Sequence, residues 1–339
     1  MTCLPATGWR HIGLQITFSD MWWLIAKPLD RLAIRSACSS VLPSPDGQSH
    51  ADEATAFLQR NDFFAPQVVP PQLQLIAKTA FQFPSPIRSA SAKNDLVRGQ
   101  CELASTDWQR HPSVILLHGW NASLQYQWQF PFWSQLLARA GVNAIRFELP
   151  HHMSRSPTEP GTIRNFLSGD LLHVVRTTHQ ALADVRSLAL WLRAQGSPVV
   201  GVWGVSLGAW LGALAAIHQP ELEFAVLMTP VVRMDRAVRE LAFFAPIREH
   251  LLGVESQFAS LNLVAHSPPC PGKTLIVASE LDLFSPLETI AELEAVWCPE
   301  VWRLQHGHLS VLLSSRIARR IVSWVKNANA TFDAAARGR

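Results

Sequence analysis

The chain has 339 residues, of which 48% are apolar and 16% charged, so it has enough apolar side chains for a buried core. With 29 basic and 26 acidic residues the formal charge is only +3, and no run of five Lys or Arg residues indicates a nucleic-acid partner. No stretch of about 18 uncharged apolar residues predicts a membrane-spanning segment.

The cysteines indicate neither a disulfide framework nor a metal site. There are five of them, an odd number, and no two are spaced as a C-x-x-C pair. The cysteines therefore predict no zinc site. The first ten residues are not basic enough before the apolar stretch for a signal peptide, and with few cysteines this favours a cytoplasmic protein.

The first 70 residues are predicted to form an N-terminal extension. Apolar residues recur at helical spacing over 18–37, interrupted by Pro28, which predicts two short amphipathic helices. These helices either pack on the main domain or lie at a membrane surface, although the strongly basic face of an interfacial helix is missing. Residues 39–50 are rich in Ser, Pro and Gly, as is typical of a linker.

From residue 71 to residue 326 the pattern predicts one α/β domain. Residues 72–83 and 95–104 are typical of an antiparallel strand pair. Short apolar strands then alternate with helices, which predicts a mostly parallel sheet with helices on both faces. The strands are expected at 114–117, 142–147, 198–203, 224–228, 274–278 and 301–304, and the helices at 132–140, 177–193, 207–218, 287–296 and 310–325.

Two connections, 149–176 and 230–272, are too long for simple loops. Residues 236–252 within the second have a helical pattern, so 230–272 is predicted to form a small helical lid. Residues 327–339 are predicted to form a C-terminal tail.

The strongest chemical signal is the sequence GVSLG at 204–208, directly after a predicted strand and at the start of a predicted helix. A serine on such a sharp turn is held in a strained backbone conformation that exposes its hydroxyl above the sheet. Glycines two residues before and after it avoid a collision with the turn. The N-terminus of the helix is suited to stabilise a developing anion. Ser206 is therefore the candidate nucleophile.

A serine hydroxyl needs a base, and the chain has candidates in loops after later strands. His306 and His308 follow the last predicted strand, and His308 is favoured because it forms a Gly-His pair. Asp282 follows the next-to-last predicted strand, at 274–278, and it competes with Glu280 and Asp235 for the role of the acid. The order serine, acid, histidine along the chain, with each residue in a loop after a strand, is characteristic of one particular fold.

These motifs resemble those of the α/β-hydrolase superfamily, in its serine-nucleophile (esterase and lipase-like) branch, over about residues 95–325. The resemblance implies that Ser206 attacks a carbonyl, that Asp282 orients His308, and that the backbone N–H groups of Trp120 and Leu207 form the oxyanion hole. The His-Gly turn that precedes Trp120 matches the family's oxyanion turn.

One stretch departs from the family pattern. Where many members read D-x-P-G-H-G-x-S, residues 148–156 read ELPHHMSRS, so that Glu148 replaces the aspartate and both glycines are lost. We expect this loop to be shaped differently.

We call the sharp turn at 204–208 the elbow. A serine there, rather than an aspartate or cysteine, points to acyl transfer. The predicted function is hydrolysis of small-molecule carboxylic esters in two steps, through an acyl-enzyme on Ser206. This serine mechanism implies no metal and no organic cofactor. The alternatives are a serine peptidase, amidase or thioesterase on the same fold, and a catalytically silent binding protein. The sequence does not set the oligomeric state or the acyl chain length.

The tryptophans are unusually numerous, with 13 against a single tyrosine. Those near the oxyanion turn and the elbow either pack in the core or line an apolar acyl pocket. Trp120 and Trp203 are the candidates for substrate contact.

Overall fold

The computed structural model describes residues 22–38, 44, 48, 50–158, 162–248, 255–270 and 273–337. Eight α-helices and nine β-strands alternate along this described part of the chain. In chain order they are α1 (Trp22–Cys38), α2 (Ala51–Leu58), β1 (Gln74–Leu75), β2 (Ala80–Pro84), β3 (Leu96–Glu102), β4 (Ser113–Leu117), α3 (Phe130–Arg139), β5 (Asn143–Phe147), α4 (Leu171–Ala194), β6 (Val200–Val205), α5 (Leu207–His218), β7 (Leu222–Met228), α6 (Met234–Glu240), β8 (Thr274–Ser279), α7 (Leu287–Trp297), β9 (Glu300–Leu304) and α8 (Ser315–Arg337).

All nine strands join one sheet in the order β1-β2-β3-β5-β4-β6-β7-β8-β9. The strands from β5 to β9 in this order pair in parallel, whereas β1, β2 and β3 pair antiparallel, as does β3 with β5. The predicted fold class, a mostly parallel sheet with an antiparallel start, is therefore confirmed.

Side chains of the central strands alternate between two cores, one on each face of the sheet. In β4, Ile115 and Leu117 join the core that also contains residues of α4, α5 and α7. Val114 and Leu116 face the other core, with α3 and α8. Because both faces are covered, the central strands are predominantly apolar, as is typical of parallel sheets.

The N-terminal helical segment is one helix rather than two. Pro28 lies inside α1 and lacks the N–H that would bond to the carbonyl of Leu24. Leu24 and Pro28 are both exposed, and the helix continues through this position. The predicted linker at 39–50 lies largely outside the described residues. No helix in the described part of the chain is both long and apolar enough to cross a membrane.

Two other helices are longer than predicted. α4 begins at Leu171, six residues early, because Asp170 caps it by accepting a hydrogen bond from the His173 N–H at 3.2 Å. α8 continues through the predicted C-terminal tail to Arg337.

The predicted lid, residues 230–272, contains α6 and three short 3-10 helices, while 249–254 and 271–272 lie outside the described residues. It is tied to the domain through α5, where the Trp210 indole N–H donates to the carbonyl of Leu261 at 2.8 Å. Part of the insertion is thus held by the same helix that follows the elbow.

A buried ion pair joins the loop after β5 to α4. Arg155 and Asp184 are fully buried, and Arg155 Nη1 lies 2.9 Å from Asp184 Oδ2. The Ser85 hydroxyl donates to Asp184 at 2.6 Å, and Arg155 donates to the carbonyls of Asn94 and Glu148, each at 2.8 Å. The pair therefore links the antiparallel edge of the sheet to the helical layer.

Arg155→Met should lower the free energy of unfolding by about 3–5 kcal/mol, because it leaves the carboxylate of Asp184 buried without its partner. Urea titration followed by circular dichroism measures this. The control is Arg60→Met, which removes an exposed pair with Asp62 and should leave the urea midpoint unchanged. Equal midpoints for Arg155→Met and the unmodified chain would show that the pair is not a structural link.

Candidate active site

Ser206 occupies the sharp turn between β6 and α5. Its backbone has φ 54° and ψ −115°, in a region that residues with a side chain rarely adopt. A Cβ on Gly204 would lie 2.2 Å from the carbonyl oxygen of Gly208, and one on Gly208 would lie 2.2 Å from that of Leu117. Only glycines permit this packing, which fixes where Ser206 stands relative to β4.

Asp282 and His308 follow β8 and β9, and their side chains meet. His308 Nδ1 lies 2.8 Å from Asp282 Oδ2 and 3.0 Å from Oδ1. Since a carboxylate only accepts, Nδ1 carries the proton and Nε2 is left as the basic nitrogen. The N–H groups of Phe284 and Ser285 donate to Asp282 Oδ1 at 2.7 and 2.8 Å, which orients the carboxylate.

The surroundings of His308 favour its charged form. Burial opposes the imidazolium, but the charge and hydrogen bond of Asp282 outweigh it, with a smaller contribution from the charge of Asp30. The pKa of His308 is raised as a result. An imidazole in this environment can hold a proton taken from a neighbouring hydroxyl.

Ser206 and His308 line the same cavity, which has a volume of about 530 Å³. No hydrogen bond joins their side chains in the structure; such contacts are often long before substrate binds. Most of the other side chains that line the cavity are apolar, and they come from α1, the segment after β4, the connection before α4, the lid and the loops after β8 and β9. They include Leu29, Ala33, Trp120, Leu124, Leu167, Met234, Phe244, Phe284, Leu309, Leu312 and Leu313.

The rival candidates for the acid and the base lie elsewhere. Glu280 is exposed, and Asp235 pairs with Arg233 at 2.8 Å on the lid. His306 Nδ1 lies 3.3 Å from the hydroxyl of Ser310. Of the candidates, the structure brings Asp282 and His308 together.

The turn at 118–120 lies against the elbow. The position of a Cβ on Gly119 would be 3.6 Å from Ser206 Cβ, and the Gly119 N–H is held by Gln125 Oε1 at 2.9 Å. Trp120 and Leu207 both line the cavity, and Leu207 is the first residue of α5, where an N–H has no acceptor within the helix. Their placement is compatible with the predicted oxyanion hole.

His118 supports this turn rather than the chemistry. Its Nδ1–H donates to the Gly119 carbonyl at 2.7 Å, and its Nε2 accepts from the Leu149 N–H at 3.0 Å. Burial holds the pKa of His118 well below its ordinary value, so the ring is neutral.

The divergent loop at 148–156 has its own supports. The Ser154 N–H donates to the Glu148 carboxylate at 2.9 Å, and the Ser154 hydroxyl donates to it as well. His152 Nε2 accepts from the Asn121 N–H at 3.3 Å, which joins this loop to the oxyanion turn. Side-chain hydrogen bonds thus hold this loop, and His151 and Met153, at the positions where the family pattern has glycines, both have positive φ, 59° and 46°.

The expected role of Trp203 needs correction. Its side chain is fully buried and stacks on Trp133, with ring centroids 4.6 Å apart, and it does not line the cavity. The reason is strand alternation, since in β6 it faces the core beneath α3 and α8. Trp210 is also buried, whereas Trp128 is exposed and Trp120 lines the cavity.

Sequence reasoning missed Asp30, which lies on α1. Its carboxylate accepts hydrogen bonds from the backbone N–H groups of His308, Leu309 and Leu283. The sequence signal was weak, because the pattern predicts a break at Pro28, and only in the continuous helix α1 does Asp30 lie one turn from the buried Ala26.

No group of three or more His, Cys, Asp and Glu side chains in the described part of the chain is arranged to hold a metal ion.

The fold is similar to that of several solved esterases. The structure of an acetyl xylan esterase from Paenibacillus sp. R4 superposes with a TM-score of 0.56 and 14% identity, over 81% of this chain and 92% of that one. Acetyl xylan esterase 1 from Thermoanaerobacterium sp. JW/SL YS485 superposes with a TM-score of 0.56 and 15% identity, over 87% of this chain and 98% of that one. The Pyrococcus furiosus esterase Pf2001 superposes with a TM-score of 0.52 and 17% identity, over 77% of this chain and 98% of that one. At these identities the likeness shows the fold.

An uncharacterized protein of Mycobacterium tuberculosis is 28% identical over 202 residues, which are 57% of this chain and 48% of that protein. The chain thus matches about half the length of this relative. The sequence profile of the alpha/beta hydrolase family matches residues 114–327. Since this match spans more than half of the chain, the protein belongs to the alpha/beta hydrolase family.

Proposed function

We propose that this alpha/beta hydrolase cleaves carboxylic esters through an acyl-enzyme on Ser206. The observation that carries the proposal is the shared cavity. A serine on a strained elbow and a histidine bonded to a buried aspartate face the same apolar space. These are the groups that activated serine nucleophiles require.

In the first step, Ser206 Oγ attacks the ester carbonyl while His308 Nε2 takes its proton. Asp282 holds the protonated imidazole through the Nδ1–H and stabilises its charge. The N–H groups of Trp120 and Leu207 donate to the oxyanion of the tetrahedral intermediate. When the intermediate collapses, the carbon–oxygen bond to the alcohol breaks and His308 returns the proton to the leaving alcohol.

In the second step, His308 takes a proton from water as the water oxygen attacks the acyl carbonyl. Collapse breaks the bond to Ser206 Oγ, which receives the proton back from His308. The free acid leaves, and the site returns to its starting protonation state.

The cavity favours an apolar acyl group. Leu29 and Ala33 of α1, with Phe244 of the lid and Leu312, give it walls without charge. Burial of acyl methylenes against such walls is favourable by about 0.8 kcal/mol for each CH₂. The solved structures that are described as esterases support esters as the substrate class.

Ser206→Ala should abolish hydrolysis of p-nitrophenyl esters from acetate to palmitate, with kcat reduced by about 10⁶-fold. The alcohol released per minute by each variant is measured by absorbance. Ser323→Ala, on the exposed face of α8, is the matched control and should keep full activity. Equal turnover by the unmodified chain and Ser206→Ala would remove Ser206 from the mechanism.

A fluorophosphonate probe separates the alternatives. Labelling of Ser206 without ester turnover would point to a different acyl group, and a matched ester and anilide would then distinguish amide from ester specificity. An unlabelled Ser206 in folded protein would indicate a silent binding protein.

The rate should depend on pH through His308. Because the base must be neutral, kcat/KM should fall as pH drops through the pKa of His308, which lies above the ordinary value of about 6.5. Initial rates measured from about pH 5 to about pH 9, the range in which histidines titrate, follow this limb. A limb well below the ordinary value would contradict the assigned environment of His308.

Asp282→Asn should lower kcat by about 10⁴-fold, because the amide favours the wrong tautomer of His308. The same change should move the pH limb downward, since it removes a negative charge beside the imidazole. Glu280→Gln, two residues away and exposed, is the control and should alter neither. If Glu280→Gln is the damaging change, the acid has been assigned wrongly.

Ala33→Phe should shift the acyl preference toward short chains, because α1 forms a wall of the cavity. We expect kcat/KM for long-chain esters to fall more than about 10-fold while acetate is hydrolysed nearly as before, a size expected for one or two lost methylene contacts of about 1–3 kcal/mol each. Leu32→Phe, on the exposed face of the same helix, is the matched control. An unchanged chain-length profile would show that α1 does not bound the acyl site.

A further inference from the structure

Asp30 is a buried carboxylate on the N-terminal helix α1, outside the region that the family profile matches. Its side chain is completely buried. Oδ2 accepts from the His308 N–H at 2.8 Å and from the Leu283 N–H at 3.2 Å, while Oδ1 accepts from the Leu309 N–H at 3.1 Å. One carboxylate thus satisfies three backbone donors.

These donors belong to the two loops that carry the proposed acid and base. Leu283 directly follows Asp282, and the N–H of His308 belongs to the proposed base itself. The loop after β8 and the loop after β9 are therefore joined twice, by the Asp282–His308 side-chain bond and by Asp30 at the level of the backbone. The second link fixes the main chain from which both side chains project.

Close packing holds α1 against the histidine loop. A Cβ on Gly307 would lie 2.9 Å from Asp30 Oδ2 and 3.0 Å from the carbonyl oxygen of Ala26. Glycine at this position therefore lets the loop approach the helix closely enough for the His308 N–H to reach Asp30.

Asp30 also acts electrostatically on the site. Burial raises its pKa, while the N–H and the charge of His308 oppose this and the nearby charge of Asp282 adds to it. Both oxygens of the Asp30 side chain accept hydrogen bonds, which matches an ionised carboxylate. In turn, the charge of Asp30 contributes to the raised pKa of His308.

We propose that Asp30 is a positioning residue that holds His308 and Asp282 in register, so that the N-terminal helix completes the active site. The proposal rests on the proposed function for its kinetic consequence. Its structural consequence, the environment of the His308 ring, does not depend on any substrate.

The test uses the full chain with Asp30→Asn, which keeps the size of the side chain but removes its charge and one acceptor. The matched control is Asp52→Asn, the same change at an exposed position on α2. Each protein is assayed with a p-nitrophenyl ester, and the His308 ring is titrated by ¹H–¹⁵N NMR with His308→Gln to assign its signals. Thermal unfolding followed by circular dichroism shows how much of each protein is folded.

We expect Asp30→Asn to lower kcat by about 10- to 100-fold with little change in KM, because a small displacement of a catalytic group has an effect of this size. The pKa of His308 in the NMR titration should fall, since a nearby negative charge is lost. Asp52→Asn should match the unmodified chain in both measurements.

A folded Asp30→Asn protein with unchanged kcat and an unchanged His308 titration overturns the proposal. A loss of activity that only follows the loss of folded protein, with the His308 titration unmoved, overturns it as well. If the unmodified chain neither hydrolyses esters nor reacts with a fluorophosphonate, the proposed function fails, and the His308 titration alone then decides the role of Asp30.

If Asp30→Asn does not fold, Gly307→Ala replaces it. The added methyl group should push the histidine loop away from Asp30 without removing a charge, which lowers kcat and alters the His308 titration. Unchanged values in that variant contradict the proposal.

Discussion

The close contact between the elbow and β4 is the constraint on which the rest of the site depends. Gly208 lies so near the carbonyl of Leu117 that no side chain fits between them. This contact sets α5 directly against the end of β4, and it places Ser206 beside the turn that follows β4. The strained backbone of Ser206 is tolerated because the buried strands β4 and β7, which flank β6, hold the turn from either side.

The parallel sheet brings the remaining groups to the same edge. β8 and β9 end next to each other, so the loops that carry Asp282 and His308 meet although they are not adjacent in the sequence. Because β6 and β7 separate β4 from this pair, the turn at 118–120 and the side chain of His308 lie on opposite sides of Ser206. The cavity between them is lined in part by apolar side chains of the lid and of α1. Ser206 and His308 are thus polar groups in the wall of a largely apolar cavity.

The N-terminal helix changes how the domain is delimited. The sequence pattern assigned residues 1–70 to an extension outside the α/β domain, and the family profile begins only at residue 114. In the structure α1 contributes Leu29 and Ala33 to the cavity wall, and the carboxylate of Asp30 to the backbone of His308. A segment that looks like an appendage in sequence is therefore packed on the candidate active site. Exposed apolar side chains remain on its outer face, namely Leu24, Ile25 and Leu32.

The sequence by itself determined the fold class, the candidate nucleophile Ser206 and a short set of candidates for the acid and the base. Alternating short strands and helices are a local pattern, and the glycines around Ser206 report a steric need within five residues. Only the tertiary structure decided between Asp282 and Glu280. The two residues lie two positions apart on one loop, and only the side chain of Asp282 faces His308. It also moved Trp203 into the core, since neighbouring strands and helices determine which face of β6 is buried. Asp30 lies 278 residues from His308 along the chain, so no local pattern connects them. Their contact arises from helix packing and from the need of a buried carboxylate for donors.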